Sequence, residues 1–114
     1  MADLTTEERI GKEKRRLLKL FRDCDKNKLE VAKGLIDRAA YITVSLQDLE
    51  VELQENGWTE EYQNGKDQIG VKRSAAADVH IALTKNLAGI SKQLLDIVPA
   101  AKNKKSKLQE LMAE

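Results

Sequence analysis

Residues 55–74, ENGWTEEYQNGKDQIGVKRS, form a short insert between two long helical patterns. The insert holds three of the chain's six glycines, its only Trp and one of its two Tyr. The patterns on either side have apolar residues at alternating steps of three and four, which is typical of helices packed side by side. The structure of this insert therefore decides how the two flanking helices are connected.

Asn64-Gly65 favours a two-residue β-turn, because both residues tolerate positive φ. Folding the chain at this turn would pair Tyr62 with Asp67 in a small β-hairpin. A flexible loop with its aromatic residues packed on the helix ends is the alternative, and both interpretations remain open here. In the hairpin, one apolar face would comprise Trp58, Tyr62, Ile69 and Val71.

The helical patterns predict one helix over about 28–55 and another from 74 to about 98. Helices of similar length with matching apolar seams, joined by a short connection, indicate an antiparallel helical hairpin. A further helix is predicted from residue 5, where Thr5 and Glu8 have the spacing of a capping box. The predicted fold class is therefore all-α: a long antiparallel helical hairpin with an N-terminal helix and, if the insert is an ordered hairpin instead of a loop, a small β-hairpin at the tip.

Three parts follow from this division of the chain. They are a basic N-terminal helix at 1–24, a helical-hairpin core for oligomerisation at 25–99 and a lysine-rich tail at 100–114. The last helix carries a second apolar row beside its seam, and such a width indicates burial against more than one neighbour. The predicted oligomer interface is formed by Trp58, Tyr62, Ile69, Ile81, Ala88 and Leu95.

The sequence offers little for catalysis. It has one Cys and one His, and it lacks the P-loop, HExxH and CxxC motifs. His80 occupies a seam position, where a packed or hydrogen-bonded role is the usual one. We therefore expect a non-enzymatic protein with no metal site and no cofactor. The start of the chain lacks the apolar core of a signal peptide, and no run approaches the length of a membrane span, so no membrane partner is expected.

A net charge of +1 conceals a strong segregation of charge. Residues 9–22 contain seven basic residues and one acidic residue, whereas residues 46–61 contain six acidic residues and no basic one. In a helical hairpin, the first helix and the lysine tail would extend from the end opposite the acidic tip. A face rich in Lys and Arg suits contact with phosphates, although a solvated helix face is the simpler explanation. The candidate DNA-binding residues are Lys12, Arg15, Arg16, Lys19 and Arg22.

The part of the chain from about residue 28 to residue 99 resembles the small terminase subunits of tailed phages and prophages. The resemblance rests on Gly57-Trp58, Tyr62, Asn64-Gly65, the helix start Val71-Lys72-Arg73-Ser74, Ala77-Asp78, and Leu94-Leu95 followed by Pro99. At the position after Ser74, where relatives often have Pro, this chain has Ala75. The basic residues of the first helix lie outside the matching region, so they are chosen from the charge pattern alone.

The resemblance implies a non-catalytic subunit that binds double-stranded viral DNA and assembles into a ring. It implies two further partners, namely other copies of the chain and the large terminase subunit, and a location in the cytoplasm of the bacterial host. The alternative function is a helical-hairpin module that binds another protein and no nucleic acid.

Overall fold

A computed structural model of the chain describes residues 3–98 and 111–113. The chain is mostly helical, as predicted, and the insert is a small antiparallel hairpin instead of a flexible loop. The bounds of the two long helices lie within two residues of the predicted ones. The elements are α1 (Thr6–Lys19), α2 (Lys26–Asn56), β1 (Thr59–Gln63), β2 (Ile69–Arg73) and α3 (Ala75–Ile97).

Each helix begins at a polar capping residue. Thr5, Asp25 and Ser74 accept a hydrogen bond from the backbone N–H three residues further on, which satisfies one of the free donors of the first turn. The long helix α2 ends at Gly57, whose φ of 87° is unfavourable for any residue with a side chain. The caps explain why the helix bounds follow the sequence so closely.

The core lies where all three helices meet. Leu17 of α1 and Phe21 of the turn that follows it pack with Ile36 of α2 and Leu94 of α3. Each of these four side chains is almost fully buried. Leu20, Ala32, Ala39 and Val98 complete this cluster. The N-terminal helix is therefore part of the same packed unit as α2 and α3, even though its sequence is strongly basic.

Two contacts describe how α2 and α3 run relative to each other. His80, near the start of α3, lies 3.0 Å from the carboxylate of Glu50, near the end of α2. At the opposite end, the Cys24 thiol donates to the carbonyl oxygen of Ile97 at 3.8 Å. The molecule is elongated, measuring 63 × 35 × 22 Å. We refer to the end of α2, the two strands and the start of α3 as the tip, and to the opposite end as the base.

The register of the β-hairpin differs from the predicted one. Tyr62 faces Gly70 instead of Asp67, a shift of three residues, and residues 64–68 form the loop. A Cβ atom at position 70 would lie 2.6 Å from the Tyr62 ring, so the absence of a side chain there provides the space for this ring. Because side chains alternate between the two faces of a strand, a register shift by an odd number of residues moves the apolar residues of β2 to the face opposite those of β1. Trp58 and Tyr62 lie on one face, whereas Ile69 and Val71 lie on the other.

The second apolar row of α3 is largely uncovered within one chain. Ala77 is buried and Leu95 is half-buried, but Ile81 and Ala88 are exposed. Within the single chain, α3 is therefore covered along one stripe only. Most of the predicted tail lies outside the described residues; Leu111, which is described, packs against the core.

Candidate nucleic-acid interface

The first helix is held in place by its cap and by its apolar side. The Thr5 N–H donates to the Glu8 carboxylate at 3.0 Å, and the Glu8 N–H donates to the Thr5 hydroxyl at 3.1 Å. The pKa of Glu8 is lowered by hydrogen bonds to its carboxylate from the backbone and the side chain of Thr5, because they favour the charged form. Leu17 is buried on the opposite end of the helix, so α1 is fixed at both ends and its polar side faces solvent.

The side chains of α1 also bind α2 directly. Arg9 donates to Asp48 at 2.7 Å and to Gln47 at 2.9 Å, and Lys14 lies 3.4 Å from Asp37. These contacts place the start of α1 beside residues 47–48 and its later part beside Asp37, so α1 lies along α2 with its N-terminal end nearer the tip and its C-terminal end at the base. The predicted placement of the basic first helix away from the acidic stretch is therefore wrong: the basic residues of α1 extend along half of α2, and Arg9 binds Asp48, the first residue of the acidic stretch.

The physical reason is that α2 offers a continuous apolar surface on this side. Ala40 and Val44, one turn apart on the same side of α2, are both buried, and Val44 lies beside residues of α1. A helix that covers this surface gains burial, whereas a helix extending from the base would leave it exposed to water. The short turn over residues 20–25 allows α1 to fold back in this way.

A groove of about 540 Å³ lies between α1 and the middle of α2. Its lining includes four of the five predicted DNA-binding residues, on the α1 side, and Thr43, Val44 and Gln47 on the α2 side. The four predicted residues in the lining are Lys12, Arg15, Arg16 and Lys19. The fifth, Arg22, follows in the turn after α1 and is exposed.

The predicted basic residues differ in how they are bound. Arg16 forms two hydrogen bonds to Glu13, at 2.7 and 2.9 Å, so part of its charge is already compensated. Within the described part of the chain, Lys12, Arg15, Lys19 and Arg22 form no ion pair. Their exposed charges are available for an anionic partner, whereas Arg16 contributes less.

Two sets of basic residues were not among the predicted site residues. Arg9 lines the groove and holds α1 on α2, and it lies three residues before Lys12, so the same helical spacing could have revealed it. A second groove, of about 390 Å³, lies between α2 and α3 and is lined by Arg38 and Lys85 together with the amides of Asn86 and Gln93. Those residues are distant in sequence, so only the packing of α2 against α3 brings them together.

The predicted interface residues are distributed between the hairpin and α3. Trp58, Tyr62, Ile69, Ile81 and Ala88 are exposed, and Leu95 is half-buried. Because Ile69 lies on the opposite hairpin face from Trp58 and Tyr62, the set does not form one continuous surface. Whether these residues contact another copy stays a prediction.

His80 connects the hairpin to the helices. The Trp58 ring meets the His80 ring edge-on, with centroids 5.3 Å apart and an interplanar angle of 79°. The Nε2 atom of His80 is also within hydrogen-bonding distance of Glu50. Through the contact between Trp58 and His80, the hairpin face that carries Trp58 is turned toward the helices. Ile69 and Val71 lie on the other face, which points away from the helices.

No family model matches this chain. Searches of the curated proteins and of the solved structures likewise gave no match. Among residues 3–98 and 111–113, no group of three His, Cys, Asp or Glu side chains could hold a metal ion. In the same residues, no helix has both the length and the apolar character that crossing a membrane requires. The functional interpretation therefore depends on the basic groove and on the resemblance of residues 28–99.

Proposed function

We propose that this protein is a small terminase subunit: a DNA-binding component that assembles into a ring and delivers viral DNA to the large terminase subunit. The observation that carries the DNA-binding part is the groove between α1 and α2, with exposed Lys12, Arg15 and Lys19 on one wall, which form no ion pair among the described residues. The remainder comes from the resemblance of the hairpin region. In this proposal, α2, the two strands and α3 are an antiparallel helical hairpin that forms the contacts between copies.

The basic wall suits contact with the DNA backbone and offers little for reading bases. The residues from Lys12 to Lys19 span about 10 Å of α1 at the helical rise, which corresponds to about three phosphates of one strand along the duplex axis. No aromatic residue lies among them, so stacking on unpaired bases is not expected. Duplex DNA is therefore the expected ligand, bound largely through release of counterions.

Arg9 has a positioning role in this arrangement. Its two hydrogen bonds to Asp48 and Gln47 fix the start of α1 on α2 and thereby hold Lys12 and Arg15 on one side of the groove. In a ring, every copy would present the same wall, so weak contacts from single copies would add along one DNA molecule. Chemistry on the DNA is assigned to the large subunit, and this chain positions the substrate in the host cytoplasm.

The test is the salt dependence of duplex binding. Neutralising Lys12, Arg15 and Lys19 to Gln is expected to reduce the slope of log K against log[salt] by about 2.7, at about 0.9 for each lost phosphate contact. A matched control replaces Lys28, Lys66 and Lys92 by Gln, which removes the same charge from other surfaces. Equal slopes for the two triple variants would exclude this groove as the DNA site.

The ring is tested separately by the mass of the intact assembly. A symmetric oligomer in native mass spectrometry or sedimentation would support the proposal. A monomer at high protein concentration would contradict it, whatever the result of the DNA-binding measurement.

The second candidate is a helical module that binds another protein. It is favoured by the exposed apolar residues outside the hairpin, notably Val51, Val79 and Ile81, since such residues are common in binding surfaces. This candidate predicts no duplex binding even at low salt, together with tight binding of a protein partner. The absence of duplex binding at low salt separates it from the terminase proposal, whereas a protein partner alone is compatible with both.

A further inference from the structure

The backbone of the β-hairpin leaves a defined set of groups unpaired at its two outer edges. At one end of the ladder Ser74 donates to the carbonyl oxygen of Trp58 at 3.0 Å, and at the other Asn64 donates to that of Gln68 at 2.8 Å. Because hydrogen-bonded pairs alternate with non-hydrogen-bonded ones in an antiparallel ladder, the residues between these pairs have known directions. The N–H and C=O groups of Thr59, Glu61 and Gln63 on β1, and of Ile69, Val71 and Arg73 on β2, point outward.

The side chains of those same residues form the hairpin face that points away from the helices. Ile69 is 71% exposed and Val71 is 66% exposed, although isolated aliphatic residues of this size favour burial. An isolated two-stranded hairpin is marginally stable, and open edges are ready templates for another strand. Both the edges and this apolar face would be stabilised by a further strand on either side.

The charges of the two strands select the partner and its direction. β1 carries Glu60 and Glu61 and no basic residue, whereas β2 carries Lys72 and Arg73 and no acidic residue. If β1 paired with β1 of a second copy, carboxylates would face each other, and if β2 paired with β2, cations would. Like charges that face each other destabilise the pairing of two strands. Only β1 against β2 of another copy matches opposite charges, as the Glu60–Lys72 ion pair at 3.5 Å already does within the hairpin.

We infer that the outer edge of β1 pairs with the outer edge of β2 from a second copy of this chain. The sheet then continues from one copy to the next. The contact joins two different surfaces, so a pair of copies still has one free β1 edge, on one copy, and one free β2 edge, on the other. Contacts of this kind form rings when the rotation closes, whereas contacts between identical surfaces stop at a two-fold dimer.

This inference deepens the proposed ring, but it can fail while the ring itself stands. It names the hairpin edges as the contact, whereas the proposed function requires only that copies assemble. It also differs from the predicted interface, because it includes the backbone of Glu61 and Val71 and does not require Ile81 or Ala88.

The test uses proline at outward-pointing positions. Pro at position 61 or 71 removes an N–H that points to solvent and leaves the bonds within the hairpin intact. Thr at the same position keeps the N–H and serves as the matched control. We expect Glu61→Pro alone and Val71→Pro alone to weaken self-association by about tenfold or more relative to the Thr variants, as the loss of an edge hydrogen bond together with strand separation implies.

Mixing the two proline variants gives the decisive measurement. A Glu61→Pro copy keeps its β2 edge and a Val71→Pro copy keeps its β1 edge, so the inference predicts a one-to-one heterodimer that grows no further. Dimers of either variant alone would indicate pairing of identical edges and would overturn it. Rings formed by both variants as readily as by the wild-type chain would overturn the edge contact while leaving the proposed ring intact.

A wild-type chain that stays monomeric would overturn both proposals. Helical content by circular dichroism checks that each variant is folded. If a variant is unfolded, Gln63→Pro and Ile69→Pro place the same block on the same two edges, near the loop. The mixing experiment with this second pair has the same expected and contradicting outcomes.

Discussion

Truncation of Leu94 tests whether the three helices share one core. This side chain is fully buried, at 0% exposure, and it belongs to the cluster formed with Leu17, Phe21 and Ile36. Replacing a buried Leu by Ala costs 2–5 kcal/mol in other proteins, through lost transfer free energy and the cavity left behind. Since three helices enclose this site, little collapse is possible, and we expect Leu94→Ala to lower the free energy of unfolding by about 3 kcal/mol.

The neighbouring Leu95 provides the control. Leu95→Ala makes the same chemical change one position along the same helix, so the effect on helix propensity is equal. Leu95 is half-buried, and we expect it to cost about 1 kcal/mol or less in the monomer. Urea and thermal denaturation followed by circular dichroism measure both variants, and the expected loss at position 94 corresponds to a lower Tm by roughly 10–20 °C.

Protein concentration adds a second readout. If Leu95 lies in a contact between copies, the cost of Leu95→Ala rises with protein concentration, because the assembly stabilises the folded state by mass action. The cost of Leu94→Ala changes less, because its contacts are within one chain. Equal losses for the two variants at low concentration, or a loss below about 1 kcal/mol for Leu94→Ala, would refute the description of the core.

Three further predictions concern the capping box of α1, the end of α2 and a glycine within α2. Because the pKa of Glu8 is lowered, the capping box stabilises α1 fully at a pH above the ordinary pKa of a glutamate, and this stabilisation is lost as the pH falls through the lowered pKa. A pH titration of helicity should show this loss. Thr5→Ala should make the pH-dependent loss of helicity smaller. Gly57→Ala should lower stability by about 1–3 kcal/mol, because the backbone at position 57 has a φ of 87° and a ψ of 165°. Gly34→Ala should instead raise stability by up to about 1 kcal/mol, because Gly34 lies within α2 and an added Cβ would meet nothing within 4 Å; denaturation curves of the two Gly variants with the same sign would contradict this pair of expectations.

The helices could be predicted closely because their signals are local. Ser74 caps α3 and Gly57 terminates α2, and each acts through a hydrogen bond or a backbone angle within a few residues. The existence of the β-hairpin could be predicted for the same reason, since it separates two strong helical patterns and contains a turn signal.

The register of the hairpin could not be predicted from Asn64-Gly65 alone. The sequence pattern favoured the tightest turn, but the structure has a five-residue loop over 64–68 and the Tyr62 ring over Gly70. Fitting a ring against a glycine across the ladder depends on pairing between strands, which no local spacing encodes. The same limit applies to α1: its basic residues were identifiable, but its return along α2 depends on the packing of Leu17 and Phe21 against distant residues.

The number of helices that pack together differs between the base and the tip, and this difference affects where local unfolding begins. At the base three helices enclose Leu94, whereas toward the tip the buried residues include Leu53 of α2 and Ala77 of α3, where α1 no longer covers α2. Local unfolding requires less free energy where fewer apolar contacts are broken. Backbone amides near Leu53 and Ala77 should therefore exchange with deuterated solvent sooner than those near Ile36 and Leu94, and strand exchange with a neighbour would begin at the end of the molecule that is easiest to separate.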